Sequence, residues 1–270
     1  MDKALFQRDG DFFVPTPSSR SPWSPQHLHG GPVVGLMAHA MEKATNNERL
    51  NLARLTVDLL RPVPDAPLTV NTRLVRGGSR LQILEASLLA GDTKVARASA
   101  LFLETSEQEV PDYGHFGPSE HRPPVEPVEQ NISEAAGWTN QYSPEGLHST
   151  AKAKLIDGVK AKGQGIAWMR LPVPVVEDVE ASPDVMAAAL CDFGNGVGQL
   201  SLGGGVGCIN ADATLYLHRR PVGEWLGLDA RSRMQDSGIG LVETTLFDGQ
   251  GPVGKVLQAI IPMRMPGAEG

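Results

Sequence analysis

Leu84-Glu85-Ala86-Ser87-Leu88-Leu89-Ala90-Gly91 and Val242-Glu243-Thr244-Thr245-Leu246-Phe247-Asp248-Gly249 are the two stretches whose comparison decides the fold. They lie 158 residues apart and share an acidic second position, an apolar alternation and a closing glycine. The likeness extends outward. Arg61-Pro62 answers Arg220-Pro221 at an offset of 159, and Val95, Arg97 and Phe102 answer Val253, Lys255 and Ile260 at an offset of 158. Self-similarity at one fixed offset marks a duplicated unit. Each copy alternates with the period of two that strands show when they bury one face: Leu55, Val57, Leu59 in the first, Ala213, Leu215, Leu217 in the second. Gly77-Gly78 and Gly249-Gln250-Gly251 supply turns between such strands.

Ahead of the first β unit, Pro32 takes a first-turn position and Val33, Leu36, Met37, Ala40, Met41 and Ala44 fall on one face, which predicts a helix. His39 falls with Glu42 and Lys43 on the opposite, polar face. A second helix is expected from Ser182 as N-cap, with Pro183 at the first helical position, Asp184 favourable to the dipole, and Val185, Met186, Ala189 and Leu190 apolar. From Glu104 to Glu145 the composition turns to Pro, Glu, Ser and His without sustained period, and Arg122-Pro123-Pro124-Val125-Glu126-Pro127 reads as exposed linker. The expected organisation is therefore an N-terminal module over 1–104, a connection over 105–139 and a C-terminal module over 140–270.

Of the 270 residues, 41% are hydrophobic and 20% charged, enough to build a core and too little charge for a disordered chain. The formal charge is -7 and no basic run interrupts it, which argues against a nucleic-acid partner. No apolar stretch approaches a membrane span, and Met1-Asp2-Lys3-Ala4-Leu5-Phe6-Gln7-Arg8 lacks the apolar segment of a signal peptide, so a cytoplasmic location is expected. Cys191 and Cys208 have no metal-ligand spacing and read as small buried apolar residues.

Three motifs carry a resemblance: His29-Gly30-Gly31-Pro32 before the first helix, Trp168-Met169-Arg170-Leu171-Pro172, and Cys191-Asp192-Phe193-Gly194-Asn195-Gly196. In this order, together with the duplication, the chain resembles the double-hotdog acyl-CoA thioesterases similar to bacterial thioesterase II over nearly its whole length. The resemblance implies an α+β fold, a tandem (double) hotdog of two antiparallel sheets each wrapped around a helix. It also implies a hydrolytic water held by an aspartate, a hydroxyl or amide residue and a glutamine. Asp192 matches the aspartate and Gln258 the glutamine; where the look-alike carries threonine, this chain places Asn210.

The residues themselves bear on these assignments. Gln258 alternates with Val256 and Ile260 where the pattern predicts core, so its amide must find a partner or cost about a few kcal/mol. The plainer reading is a glutamine bonded to neighbouring backbone. Its repeat counterpart, Ala100, shows that the fold does not require an amide there. Asp192 lies at the end of its helix, where dipole and desolvation together predict a raised pKa that suits a general base; the alternative is a solvated aspartate or a partner for Asn195. His29, Gly30 and Gly31 precede a helix whose backbone N–H groups can receive a carbonyl oxygen or a phosphate, the alternative being a tight turn with an exposed histidine. His27-Leu28-His29 begins like a paired-histidine metal motif but no later ligand cluster completes it, and no cofactor is expected. Gly203-Gly204-Gly205-Val206-Gly207 lacks the lysine and helix of a nucleotide loop, and no Gly-x-Ser-x-Gly elbow exists.

The expected activity is hydrolysis of an acyl-CoA substrate, with Asp192 accepting a proton from water, Asn210 and Gln258 orienting it and an N–H donor meeting the oxyanion. Arg219, Arg220 and Arg231 are the candidate cations for the CoA phosphates, the plainer reading of any one of them being a solvated surface arginine. Two rivals share the fold: a hotdog hydratase or dehydratase, whose usual Asp-x-Asn-Pro-x-His segment is missing, and a non-catalytic acyl-CoA or lipid-binding protein. A homo-oligomer, a dimer of double hotdogs, is the expected assembly.

Overall fold

The computed structural model describes residues 2–45, 47–117, 130–135, 145–157 and 161–264. Its first half contributes six strands: β1 (Phe6–Asp9), β2 (Phe12–Pro15), β3 (Leu50–Leu59), β4 (Leu68–Gly77), β5 (Leu81–Ala90) and β6 (Thr93–Glu104). The second contributes β7 (Gln130–Asn131), β8 (Lys152–Asp157), β9 (Gln164–Arg170), β10 (Val206–Asn210) and β11 (Asp212–Leu217). β12 (Leu226–Met234), β13 (Gly240–Asp248) and β14 (Gly251–Arg264) complete the described strands. The two quoted repeat stretches fall on β5 and β13, each flanked by the strands that precede and follow it in its own copy.

The expectation of two sheets is corrected to one. Among the described residues the strands form a 14-stranded sheet in the order β1-β2-β4-β5-β6-β3-β11-β14-β13-β12-β9-β8-β7, with β10 on β14. The copies meet where β3 pairs antiparallel with β11. The physical reason is that each copy would otherwise end in an unpaired strand edge, and two equivalent edges satisfy one another when the copies face across a two-fold axis. Thr56 sits opposite Thr214, and the Thr214 hydroxyl donates to that of Thr56 at 3.3 Å.

Two central helices lie against the sheet. The first (Gly30–Ala44) packs on β3, β4, β5 and β6 and against the second (Pro183–Leu190). Val33, Leu36, Met37 and Met41 have no exposure, burial that contributes about 1.5–3 kcal/mol for each large side chain. The expected apolar stripe is broader than the sequence pattern: Val34 and Ala38 are buried too, whereas Ala44 is exposed. His39, expected on a polar face, is buried, because sheet and second helix enclose this helix on nearly every side. Burial lowers the pKa of His39, and the nearby charges of Lys43 and Arg8 act in the same direction. The second helix begins as its sequence implies, with the Ser182 hydroxyl accepting from the Val185 N–H at 3.2 Å and Pro183 in the first turn.

Arg122–Pro127 lies outside the described residues. Within the same connection, Gln130–Asn131 pair with Ala153 and Lys152 of β8, and Ile132 is fully buried. Gly203, Gly204 and Gly205 all adopt positive φ in the turn before β10, a backbone conformation that accounts for the glycine run.

Candidate functional site

Glycine brings the two helices together. A Cβ on Gly35 would lie 2.8 Å from the Ala189 Cβ, and one on Gly31 would lie 2.4 Å from the Ala189 carbonyl oxygen. With no side chains there, the end of the second helix descends onto the start of the first. It delivers Asp192, on the single 3-10 turn Cys191–Phe193, to the Gly30 backbone, where a Cβ would meet all three carboxyl-group atoms within 2.6–2.9 Å. Gly194 does the same on the far side: its Cβ would lie 2.4 Å from Thr244 Oγ1 and 2.8 Å from Gln258 Oε1.

The Asp192 carboxylate is 6% exposed and held by three side chains. Asn210 Nδ2, at the end of β10, donates to Oδ1 at 2.7 Å, and Gln258 Nε2, on β14, donates to the same oxygen at 3.2 Å. His29 Nδ1 lies 2.9 Å from Oδ2. The Gly31 N–H also lies 3.1 Å from that Nδ1 in a capping geometry. Both contacts cannot use the same lone pair. An imidazole nitrogen this close to a carboxylate must carry the hydrogen, so Nδ1 donates to Asp192, and the Gly31 N–H is a further donor to the same carboxylate. The His29 ring packs on Phe193 at 4.9 Å between centroids.

The expected rise in the Asp192 pKa is corrected to a fall. Burial does push it up, but the hydrogen bond and charge of His29, the Asn210 amide and the Gly31 N–H together outweigh that push. The C-terminal end of its own helix repels the carboxylate. The structure sets it at the N-terminal end of the other helix, where peptide dipoles favour negative charge.

The site opens into a cavity of about 350 Å³, within the range of small-molecule pockets. Its floor includes Asp192, Asn210 and His29; Leu59, Leu200, Ile209 and Met263 supply apolar wall, and the 21–28 segment with Trp23 covers one side. Gln258 is fully buried behind that lining, not on it. Asn210 Oδ1, Gln258 Oε1 and Thr244 Oγ1 are buried without a hydrogen-bond partner among the described residues. Asn195 donates to the Cys208 carbonyl at 3.0 Å and takes no part in holding Asp192. Both cysteines are buried, and burial raises both thiol pKa values, that of Cys191 well above its ordinary value.

Asp192, Asn210, Gln258, His29, Gly30 and Gly31 are thus gathered in one place by four separate elements. The sequence reading missed the His29–Asp192 contact. It named both residues but no pattern within one strand or helix ties a helix start to a helix end 163 residues further on. Of the cations expected for phosphate, Arg219 is clamped on Asp248 at 2.6 and 2.7 Å, and Arg220 on Asp184 at 3.1 Å. Arg231 stands on β12 beside Asp229, outside the cavity lining. Among the described residues, no three His, Cys, Asp or Glu side chains gather as a metal site, and no helix is long and apolar enough to cross a membrane.

Fold and site define a two-copy α+β chain whose ligand cavity forms between its halves. Residues 19–103 match the model of the acyl-CoA thioesterase N-terminal domain and residues 118–261 that of the C-terminal domain; the chain belongs to the acyl-CoA thioesterase family and is a thioester hydrolase. None of the curated proteins matches the sequence. Among solved structures it is similar to the tesB protein of Mycobacterium avium subs paratuberculosis at 16% identity, covering 96% of this chain and 95% of that one, with a TM-score of 0.66. The acyl-CoA thioesterase II TesB2 of Mycobacterium marinum aligns at 17% identity over 89% and 90%, with a TM-score of 0.65. A protein of unknown function with a hot dog fold from Alicyclobacillus acidocaldarius aligns at 18% identity over 97% of each chain, with a TM-score of 0.68. These likenesses show the hotdog fold.

Proposed function

We propose that this chain hydrolyses an acyl-CoA to the free acid and CoA with a water activated at Asp192, Asn210 and Gln258. The observation that carries this reading is the Asp192 carboxylate, fixed on the cavity wall by the side chains of His29, Asn210 and Gln258. The depressed pKa keeps Asp192 ionised at neutral pH, so it can accept a proton as water attacks the thioester carbon. The unpartnered oxygen Asn210 Oδ1, on the cavity lining, is the acceptor for the other hydrogen of that water, while Gln258 acts from behind the lining by holding Asp192 Oδ1. Gly31 spends its N–H within the site, which leaves the Gly30 N–H, at the first position of the helix beside Asp192, as the donor to the tetrahedral oxyanion. Collapse of the intermediate breaks the C–S bond, and the thiolate takes the proton from Asp192.

A second assignment of the base is favoured by one feature. With Nδ1 committed to Asp192, the His29 ring lines the cavity and its Nε2 has no hydrogen-bond partner among the described residues. In that version Asp192 fixes the tautomer and Nε2 takes the proton. The residues of 1–104 and 140–270 act as the two halves of one site joined by 105–139, two chains associate as a dimer, and the reaction belongs to the cytoplasm. Incubating the purified protein with acyl-CoAs of graded chain length and measuring free thiol tests the reading. Thiol release above the uncatalysed rate is expected, and its absence across the series overturns it.

A further inference from the structure

The duplication supplies a second, blind copy of the site. Counted from the helix starts, Gly30 and Pro183, Gly31 corresponds to Asp184 and Asp192 to His39. At the repeat offset of 158, Asn210 corresponds to Leu52 and Gln258 to Ala100, and the Arg61-Pro62 pair answers Arg220-Pro221 at the offset of 159. In the blind copy the arginine is engaged: Arg220 Nε lies 3.1 Å from Asp184 Oδ2, with Glu42 3.7 Å away, and the Leu52 N–H donates to the same Asp184 oxygen at 3.4 Å. Asp184 itself is almost fully buried. An anion at the second residue of the helix and an arginine after the strand complete one another.

In the open copy the anion is missing. Gly31 stands where Asp184 does, and Arg61 lines the cavity, exposed, with no carboxylate partner among the described residues. We propose that Arg61 binds a phosphate of the CoA moiety at the cavity mouth, taking from the substrate the negative charge that Asp184 provides to Arg220. This rests on the acyl-CoA reading above. A guanidinium presents paired N–H donors that match phosphate geometry, and on a protein of formal charge -7 a polyanion needs such a local cation. The same chemistry would also receive a carboxylate at the far end of a dicarboxylic acyl group. Phosphate is favoured because Arg61 is exposed at the rim, whereas the acyl group is drawn to the apolar wall of Leu59, Leu200, Ile209 and Met263.

The test compares wild type, Arg61→Ala and Arg61→Lys on three thioesters of one chain length: the acyl-CoA, the acyl-pantetheine, which has no phosphate, and a dicarboxylyl-CoA. Binding of CoA alone is measured by calorimetry. Arg61→Ala should raise KM for the acyl-CoA by about tenfold more than for the acyl-pantetheine, the loss of roughly one charge-assisted hydrogen bond. It should weaken CoA binding by a similar factor, with Arg61→Lys between the two and the difference shrinking in high salt. Equal shifts for acyl-CoA and acyl-pantetheine overturn the proposal, as does an effect confined to the dicarboxylyl-CoA or CoA binding that ignores the substitution. Wild type that binds CoA through Arg61 yet releases no thiol from any thioester would instead overturn the hydrolytic reading and leave this one standing.

Discussion

His29 Nδ1 and Asp192 Oδ2 stand 2.9 Å apart, one residue from each copy of the repeat. Neither copy holds the pair alone. The contact exists because Gly30, Gly31 and Gly35 let the helices close until the end of one meets the start of the other. A duplicated fold has thereby made one site out of two halves that differ at the positions that matter.

Asp192→Asn keeps the side-chain volume and removes the charge. It should lower kcat by about 10² or more, in line with the loss of an acid–base group. His29→Ala separates the two assignments of the base, both measured by thiol release on protein checked by circular dichroism. A loss as large as that of Asp192→Asn places the proton on His29. A loss of about tenfold makes His29 a positioning residue and Asp192 the base. Unchanged turnover in Asp192→Asn rules out both.

Gln258→Ala and Asn210→Leu import the residues of the blind copy, where Ala100 and Leu52 are buried. Both variants should therefore fold, with thermal midpoints within a few degrees of wild type. Both should lose turnover, by about tenfold or more, because each removes a donor to Asp192 and Asn210→Leu also removes an acceptor for the attacking water. Variants that fold and turn over normally would leave the water unassigned to these groups.

The sheet was largely visible in the sequence, because the period of two and the repeat offset are local signals. Leu55 and Val57 are buried on one strand, and Ala213, Leu215 and Leu217 on the other, as their alternation implies. That the two sheets fuse was not visible. The Thr56–Thr214 pairing depends on how the copies face each other, and no residue of β3 or β11 announces it. Asp192 was misjudged electrostatically for the same reason: its own helix could be read locally, but the helix that stabilises its charge comes from the other copy. His39 shows the limit of helical periodicity, since sheet and second helix enclose this helix over His39 and leave Lys43 and Ala44 exposed only at its last turn.

Gly30→Ala tests the close approach directly. The new Cβ would press on the carboxyl group of a buried, hydrogen-bonded aspartate, and that short side chain has nowhere to rotate without losing its partners. Turnover should fall by about tenfold or more, while stability changes by no more than about 1–3 kcal/mol, the range of an overpacked site. Wild-type turnover in Gly30→Ala would show that the carboxylate can shift freely, and that its position against the helix is not what matters.

The pH dependence of stability follows from the sign of the Asp192 shift. Its pKa in the folded protein lies below the ordinary 3.8, because the His29, Asn210 and Gly31 donors overcome burial. A depressed carboxylate contributes stability that is fully present above the unfolded pKa and is lost as pH falls through the folded one. Wild type should therefore be more stable than Asp192→Asn at pH 7, by a margin that stays flat down to about pH 5 and shrinks only below about pH 4. Urea midpoints of the two proteins across this range measure the margin. If burial ruled instead, the ionised carboxylate would cost stability at neutral pH, Asp192→Asn would be the more stable protein at pH 7, and the gap would close on mild acidification. That outcome would sink the His29–Asp192 pairing as the source of the site's charge.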